Sequence, residues 1–148
     1  MTYPRLAVIG SRKTPESSKP ILFKLIDQFR AKYPIEAIVS GGAQGPDFWS
    51  EEYSRENKIS RFIYEPNWYP DGRDKKMNKG AGFLRNKQII ENCDYCIAMI
   101  KIGEAKGTMN SIEWCQRLKR PYMLFDHMGK ILDHNKYEEP LILSTSQI

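Results

Sequence analysis

The sequence predicts an α/β fold, a mainly parallel sheet of about five strands with helices on both faces. Short apolar runs alternate five times with segments whose apolar residues recur every three or four positions, the pattern of strands feeding helices in a parallel sheet. Runs such as Leu6-Ala7-Val8-Ile9 and Tyr95 to Ile100 are apolar throughout, as strands covered on both faces are. The length of 148 residues and 41% hydrophobic content suit one domain with a full core, residues 1–148.

Each element has its own signal. Arg5 to Ile9 forms the first strand and stops at Gly10-Ser11-Arg12. Ser17 and Ser18 are placed to cap a helix opened by Pro20, whose core face is Ile21, Leu22, Leu25, Ile26, Phe29 and Tyr33. Pro34 ends that helix. Ala37-Ile38-Val39 is the second strand, followed by Ser40-Gly41-Gly42-Ala43-Gln44-Gly45 and a helix from Pro46 to about Asn57. On that helix Phe48, Trp49 and Tyr53 form the expected buried side, with Glu51, Glu52, Arg55 and Glu56 in solvent.

Arg61 to Tyr64 is a weaker third strand. The following loop, Glu65 to Lys76, carries Trp68, Tyr69 and three basic residues, and reads either as a lid for a planar anionic ligand or as a solvated loop whose Trp68 covers the core edge. A third helix opens near Gly80, with Phe83, Ile89 and Ile90 for packing and Arg85 and Asn86 in its first turn. A cation there opposes the helix dipole and calls for an anionic partner. The fourth strand, Tyr95 to Ile100, leads through Gly103 to Lys106-Gly107-Thr108 into a helix carrying Ile112, Cys115 and Leu118. Pro121 to Phe125 is the fifth strand, and residues 127–148, with an apolar patch at Leu141 to Leu143, form an edge hairpin or a packing tail.

In such sheets ligands bind beyond the carboxyl ends of the strands, where strand order reverses. Four unusual turns fall at those ends: Gly10 to Arg12, Gly41 to Ala43, the Trp68 loop leading to Arg85, and Gly103 to Thr108. Glycine N–H groups there can meet a phosphate, with hydroxyls from Ser11 and Thr108 and charge from Arg12, Arg85 and Lys106. Asp47 is read either as a ribose contact or as a brace for the first turn of its own helix. Neither a dinucleotide fingerprint nor a Walker A sequence is present, and no cofactor is expected. Cys93, Cys96 and Cys115 lack the further paired ligands of a zinc site and read as buried thiols of a reducing compartment, so no metal is expected.

With 23 Lys and Arg against 18 Asp and Glu the net charge is +5. No basic block or tail accompanies it, so nucleic acid is not the expected partner. The chain has no run of about 18 apolar residues, and its first residues lack a secretion signal. A cytoplasmic protein with no membrane partner is expected.

Val8-Ile9-Gly10-Ser11-Arg12, Ser40 to Asp47, Gly82 to Asn86 and Lys106-Gly107-Thr108 together resemble the SLOG superfamily, in particular its small YspA-like and YpsA-like members, over roughly residues 5 to 126. The resemblance implies a Rossmann-like three-layer sandwich and a nucleotide-derived ligand bound by Gly10, Ser11, Arg12, Ser40, Gly41, Gly42, Ala43, Asp47, Trp68, Arg85, Asn86, Lys106, Gly107 and Thr108. It also implies self-association, for which Trp49 and Trp114 are interface candidates, with a core role as the alternative.

The superfamily includes Lonely Guy phosphoribohydrolases, a single-strand-binding DNA-processing family, and sensor domains for ADP-ribose-like signals. Arg85 matches the arginine of the Lonely Guy enzymes. Their supporting glutamate is replaced by Ser111, and Glu113 lies two residues on, about 200° around the helix. The expected function is therefore capture of an ADP-ribose-like or cyclic ADP-ribose-type molecule without turnover, by a sensor or a sequestering protein; stand-alone phage domains acting against nucleotide-signalled defence are one such setting. The alternatives are a nucleoside 5′-monophosphate phosphoribohydrolase and a single-stranded nucleic-acid binder.

Overall fold

The computed structural model describes residues 4–135. Their order is β1 (Arg5–Gly10), a 3-10 turn (Glu16–Ser18), α1 (Lys19–Lys32), β2 (Ala37–Ser40), α2 (Pro46–Glu56), β3 (Ser60–Ile63), α3 (Ala81–Glu91), β4 (Tyr95–Ile100), α4 (Lys106–Arg117), β5 (Tyr122–Asp126) and β6 (Ile131–His134). The sheet has six strands in the order β3-β2-β1-β4-β5-β6. All neighbours are parallel except β6, which runs antiparallel to β5. The sixth strand exceeds the expected five and lies within the segment read as an edge hairpin or a packing tail, whose residues 136–148, with the Leu141 to Leu143 patch, lie outside the described residues.

Alternation along the central strands divides the interior in two. Leu6 and Val8 face Leu22, Leu25, Ile26 and Phe29 of α1 and Trp49 and Tyr53 of α2. Ala7 and Ile9 face Ile89 and Ile90 of α3 and Ile112 and Cys115 of α4. This is the Rossmann-like three-layer arrangement. Each large apolar side chain withdrawn from water this way contributes about 1.5–3 kcal/mol. The chain leaves β1 for β2 on one side and reaches β4 on the other, so strand order reverses between β1 and β4, where a crevice must open at the carboxyl ends.

Several local readings are corrected. Ser18 does not cap α1 with its side chain; its hydroxyl donates to the His127 carbonyl at 2.6 Å. On α2, Phe48 is exposed and Glu51 is buried, the reverse of the expectation. Burial raises the Glu51 pKa above the usual carboxylate value, against the opposing charges of Arg61 and Arg55. Phe83 stands exposed instead of packing inward, and Trp49 belongs to the core, not to a surface available for association. The three thiols are free and buried, and burial pushes that of Cys93 well up. Among the described residues no helix is long and apolar enough to cross a membrane, and no cluster of three metal-ligating side chains occurs.

Candidate functional site

A crevice of about 420 Å³ lies at the predicted reversal. The turn after β1 supplies Gly10, Ser11, Arg12 and Lys13 to its wall, and Ala43 and Asp47 come from the approach to α2. Trp68 overhangs it, Arg85 and Asn86 enter from α3, and Gly107 and Thr108 from α4. Ten of the fourteen residues expected at a ligand thus share one cavity wall. Ser40, Gly41, Gly42 and Lys106 do not line it.

Within that wall many polar groups are already engaged. The Asp47 carboxylate accepts the Gly10 N–H at 3.2 Å through Oδ1 and the Gly41 N–H at 2.9 Å through Oδ2. Two of the donors expected for a phosphate are therefore held by an internal anion, and Asp47 braces β1 and β2 against α2 instead of its own helix turn. Burial raises its pKa to about 6, against the two N–H bonds and the charge of Arg85. The Ser11 hydroxyl accepts the Lys101 N–H at 2.9 Å and pairs with Thr14 at 2.8 Å, so it ties the first turn to the end of β4.

Arg85 is the fifth residue of α3 and so lies in its second turn, not its first. Nη1 donates to the Gly41 carbonyl at 2.7 Å and Nε to Asn86 Oδ1 at 3.1 Å. Burial lowers its pKa, and the Asp47 charge opposes that shift. The dipole argument is thus answered from inside the protein by a carbonyl and a carboxylate. Nη2 has no partner among the described residues and remains available. Asn86 is fixed in turn by the Gly107 carbonyl and Asn110 Oδ1, each at 3.2 Å.

The unengaged groups form the mouth. Arg12, Lys13 and Lys79 are exposed, line the crevice, and make no ion pair among the described residues. With Arg85 they set four cations against the carboxylates of Asp47 and Glu104. Trp68 and Phe83, 37% and 45% exposed, stand at the same opening. α4 begins at Lys106 without a side-chain cap, so the N–H groups of Gly107 and Thr108, in its first turn, have no intrahelical acceptor.

Lys13, Lys79 and Phe83 were missed as site residues because nothing in their local sequence separates them from ordinary surface side chains. Ser111 lines the crevice, whereas Glu113 is exposed and does not.

No protein-family model matches the chain. No curated protein matches it either. Among solved structures it resembles DNA processing protein A from Helicobacter pylori, whose single-stranded DNA binding mode has been described, with a TM-score of 0.63 and 24% identity over 83% of this chain and 65% of that one. It also resembles DNA processing protein A from Streptococcus pneumoniae, with a TM-score of 0.65 and 20% identity over 82% of this chain and 50% of that one. The chain spans less than two thirds of either protein, and the likeness shows the fold. Both neighbours are consistent with the SLOG resemblance. They also correct one expectation: a fold neighbour that binds single-stranded DNA makes nucleic acid a plausible partner here, against its exclusion on charge pattern alone.

Proposed function

We propose that the protein binds single-stranded nucleic acid through this crevice. The observation that carries the reading is the mouth itself: three exposed cations that make no ion pair among the described residues, beside two exposed aromatic rings. Arg12, Lys13 and Lys79 hold backbone phosphates, the free N–H groups of Gly107 and Thr108 add donors, and bases stack on Trp68 and Phe83. The Helicobacter pylori neighbour supports this choice over a free nucleotide.

Fluorescence anisotropy with a labelled oligothymidine of about twelve nucleotides tests it. Three neutralised phosphates give a salt slope of about −2, so affinity falls roughly tenfold to twentyfold between 50 and 200 mM salt. The double substitution Arg12→Ala, Lys13→Ala weakens binding and flattens that slope. Absence of any salt-sensitive binding by the folded protein removes the reading.

A second reading is a free nucleotide-derived molecule, ADP-ribose-like, held without turnover. It is favoured by the polar floor, where Asp47, Thr108 and Ser111 are almost fully buried yet line a cavity of small-ligand size. Calorimetry with ADP-ribose, its cyclic isomers, NAD and AMP separates the two: heat from one of these with no oligonucleotide binding selects the small molecule.

A further inference from the structure

A second cavity, about 500 Å³, lies on the neighbouring flank of α3 and shares Arg85 with the first. Helix geometry explains the sharing. Residues 81, 84, 85, 87, 88 and 91 of α3 face the second cavity, while residues 82, 83, 85, 86 and 89 face the first. Arg85 is the common edge. The Trp68 ring lies against Gly82 next to that edge, 3.4 Å from where a Cβ would stand.

The two cavities differ in charge balance, four cations against two carboxylates in the first and two against two in the second. The first is cationic. The second presents Glu65 and Glu91, which make no ion pair among the described residues, and the primary amides of Asn67 and Gln88, which have no hydrogen-bond partner there. Pro70 and the 59% exposed Leu84 add apolar walls. Arg85 and Lys87 line it as well, with Lys87 Nζ over the Trp114 ring, 5.1 Å from its centroid, and Arg85 Nη1 on the Gly41 carbonyl. Glu65 is near enough to Arg85 to act on its charge.

A lining in which two carboxylates stand against two cations offers a phosphate little net attraction. The carboxylates suit a neutral, flat group rich in N–H donors, with the amides completing its edge and the apolar walls its faces. We propose that the second cavity reads a base of the strand held in the neighbouring crevice, favouring bases with an exocyclic amino group, guanine first. Guanine offers N1–H and N2–H in parallel to one carboxylate. Thymine offers a single N–H between two carbonyls that carboxylates repel. This inference rests on the nucleic-acid reading above and adds sequence preference to it.

Four pentanucleotides of equal charge, thymidine throughout except for a central guanine, cytosine, adenine or thymine, are compared by anisotropy. One bidentate contact corresponds to a preference of about tenfold for the guanine strand over the all-thymine strand, with cytosine and adenine between. The double substitution Glu65→Gln, Glu91→Gln brings the four Kd values together; both side chains are exposed, so the core is untouched. Equal Kd values for the unsubstituted protein, or a guanine preference that survives the double substitution, overturn the base-reading cavity and leave the crevice reading standing. No binding of any strand overturns both.

Discussion

The glycine-bearing turns at one end of the sheet do opposite things. At the end of β1 a Cβ on Gly10 would stand 2.3 Å from the Met99 carbonyl oxygen and 2.3 Å from Pro46 Cγ, and after β2 one on Gly41 would stand 2.7 Å from Arg85 Nη1 and 2.9 Å from Asp47 Oδ2. At the start of α4, a Cβ on Gly103 or Gly107 would have no described residue within 4 Å. The N–H groups of the first pair are held by Asp47; that of Gly107 opens onto the crevice at an uncapped helix start. Glycine at a strand end thus marks close approach in only some of these turns. In the first case the protein's own carboxylate takes the N–H groups where an anionic ligand is expected; in the second no described atom closes on the glycines.

The largest expected effect comes from closing the tight turn. Gly10→Ala drives a methyl into the backbone of β4 and the ring that opens α2, neither of which is a flexible side-chain end. Overpacking of this kind costs about 3 kcal/mol or more when backbone must move. Urea denaturation is expected to show the midpoint collapsing or no folded baseline at all. A variant within about 0.5 kcal/mol of the parent would mean that the turn has slack and that the contrast is overstated.

The difference between the turns also marks where sequence reasoning ran out. β1, β2, β4 and β5 were legible because their residues are almost wholly buried, which leaves unbroken apolar runs. β3 is exposed at all four positions, so its signal was weak, and the half-exposed β6 gave only an alternative. α2 misled because its buried face includes Asp47, Ser50, Glu51 and Ser54, small and acidic side chains that hydrophobic periodicity assigns to solvent. Ser50 and Ser54 bond back to the carbonyls of Asp47 and Glu51 at 2.6 and 2.7 Å, satisfying themselves within the helix. At the site, topology brought ten expected residues together. Which of their donors were already occupied depends on Asp47, Arg85 and Ser11 reaching groups 37, 44 and 90 positions away, and no local motif records that.

The internal anion predicts a pH dependence. The Asp47 pKa is about 6 in the folded protein against an ordinary 3.8. Below about pH 4 the group is protonated in both states and its burial carries no ionic penalty. As pH rises from 4 to 6 the unfolded chain releases this proton while the folded protein keeps it, so Asp47 subtracts stability, up to about 3 kcal/mol, and the loss is complete once pH passes the folded value. Asp47→Asn cannot titrate, though its amide can accept only one of the two N–H groups. The stability of the parent minus that of the variant, measured by denaturation at several pH values, is expected to fall across this window and then level. A flat difference would show that the N–H bonds and Arg85 offset burial fully, making the first turn as well matched to a charge as a ligand-bound one.

The smallest effect has the opposite sign and tests the open turn. Gly107 is the second residue of α4 and carries no left-handed backbone angle. Alanine there meets no atom, reduces the freedom of the unfolded chain and favours the helix, so Gly107→Ala is expected to stabilise by about 0.4–1 kcal/mol. If the N–H groups at this helix start contact the nucleic-acid backbone, the added methyl projects from the crevice wall and weakens oligonucleotide binding in the same protein that has become more stable. A gain in denaturation midpoint without a loss of affinity would place the phosphate at Arg12, Lys13 and Lys79 alone, and the open turn would then be a helix start exposed to water.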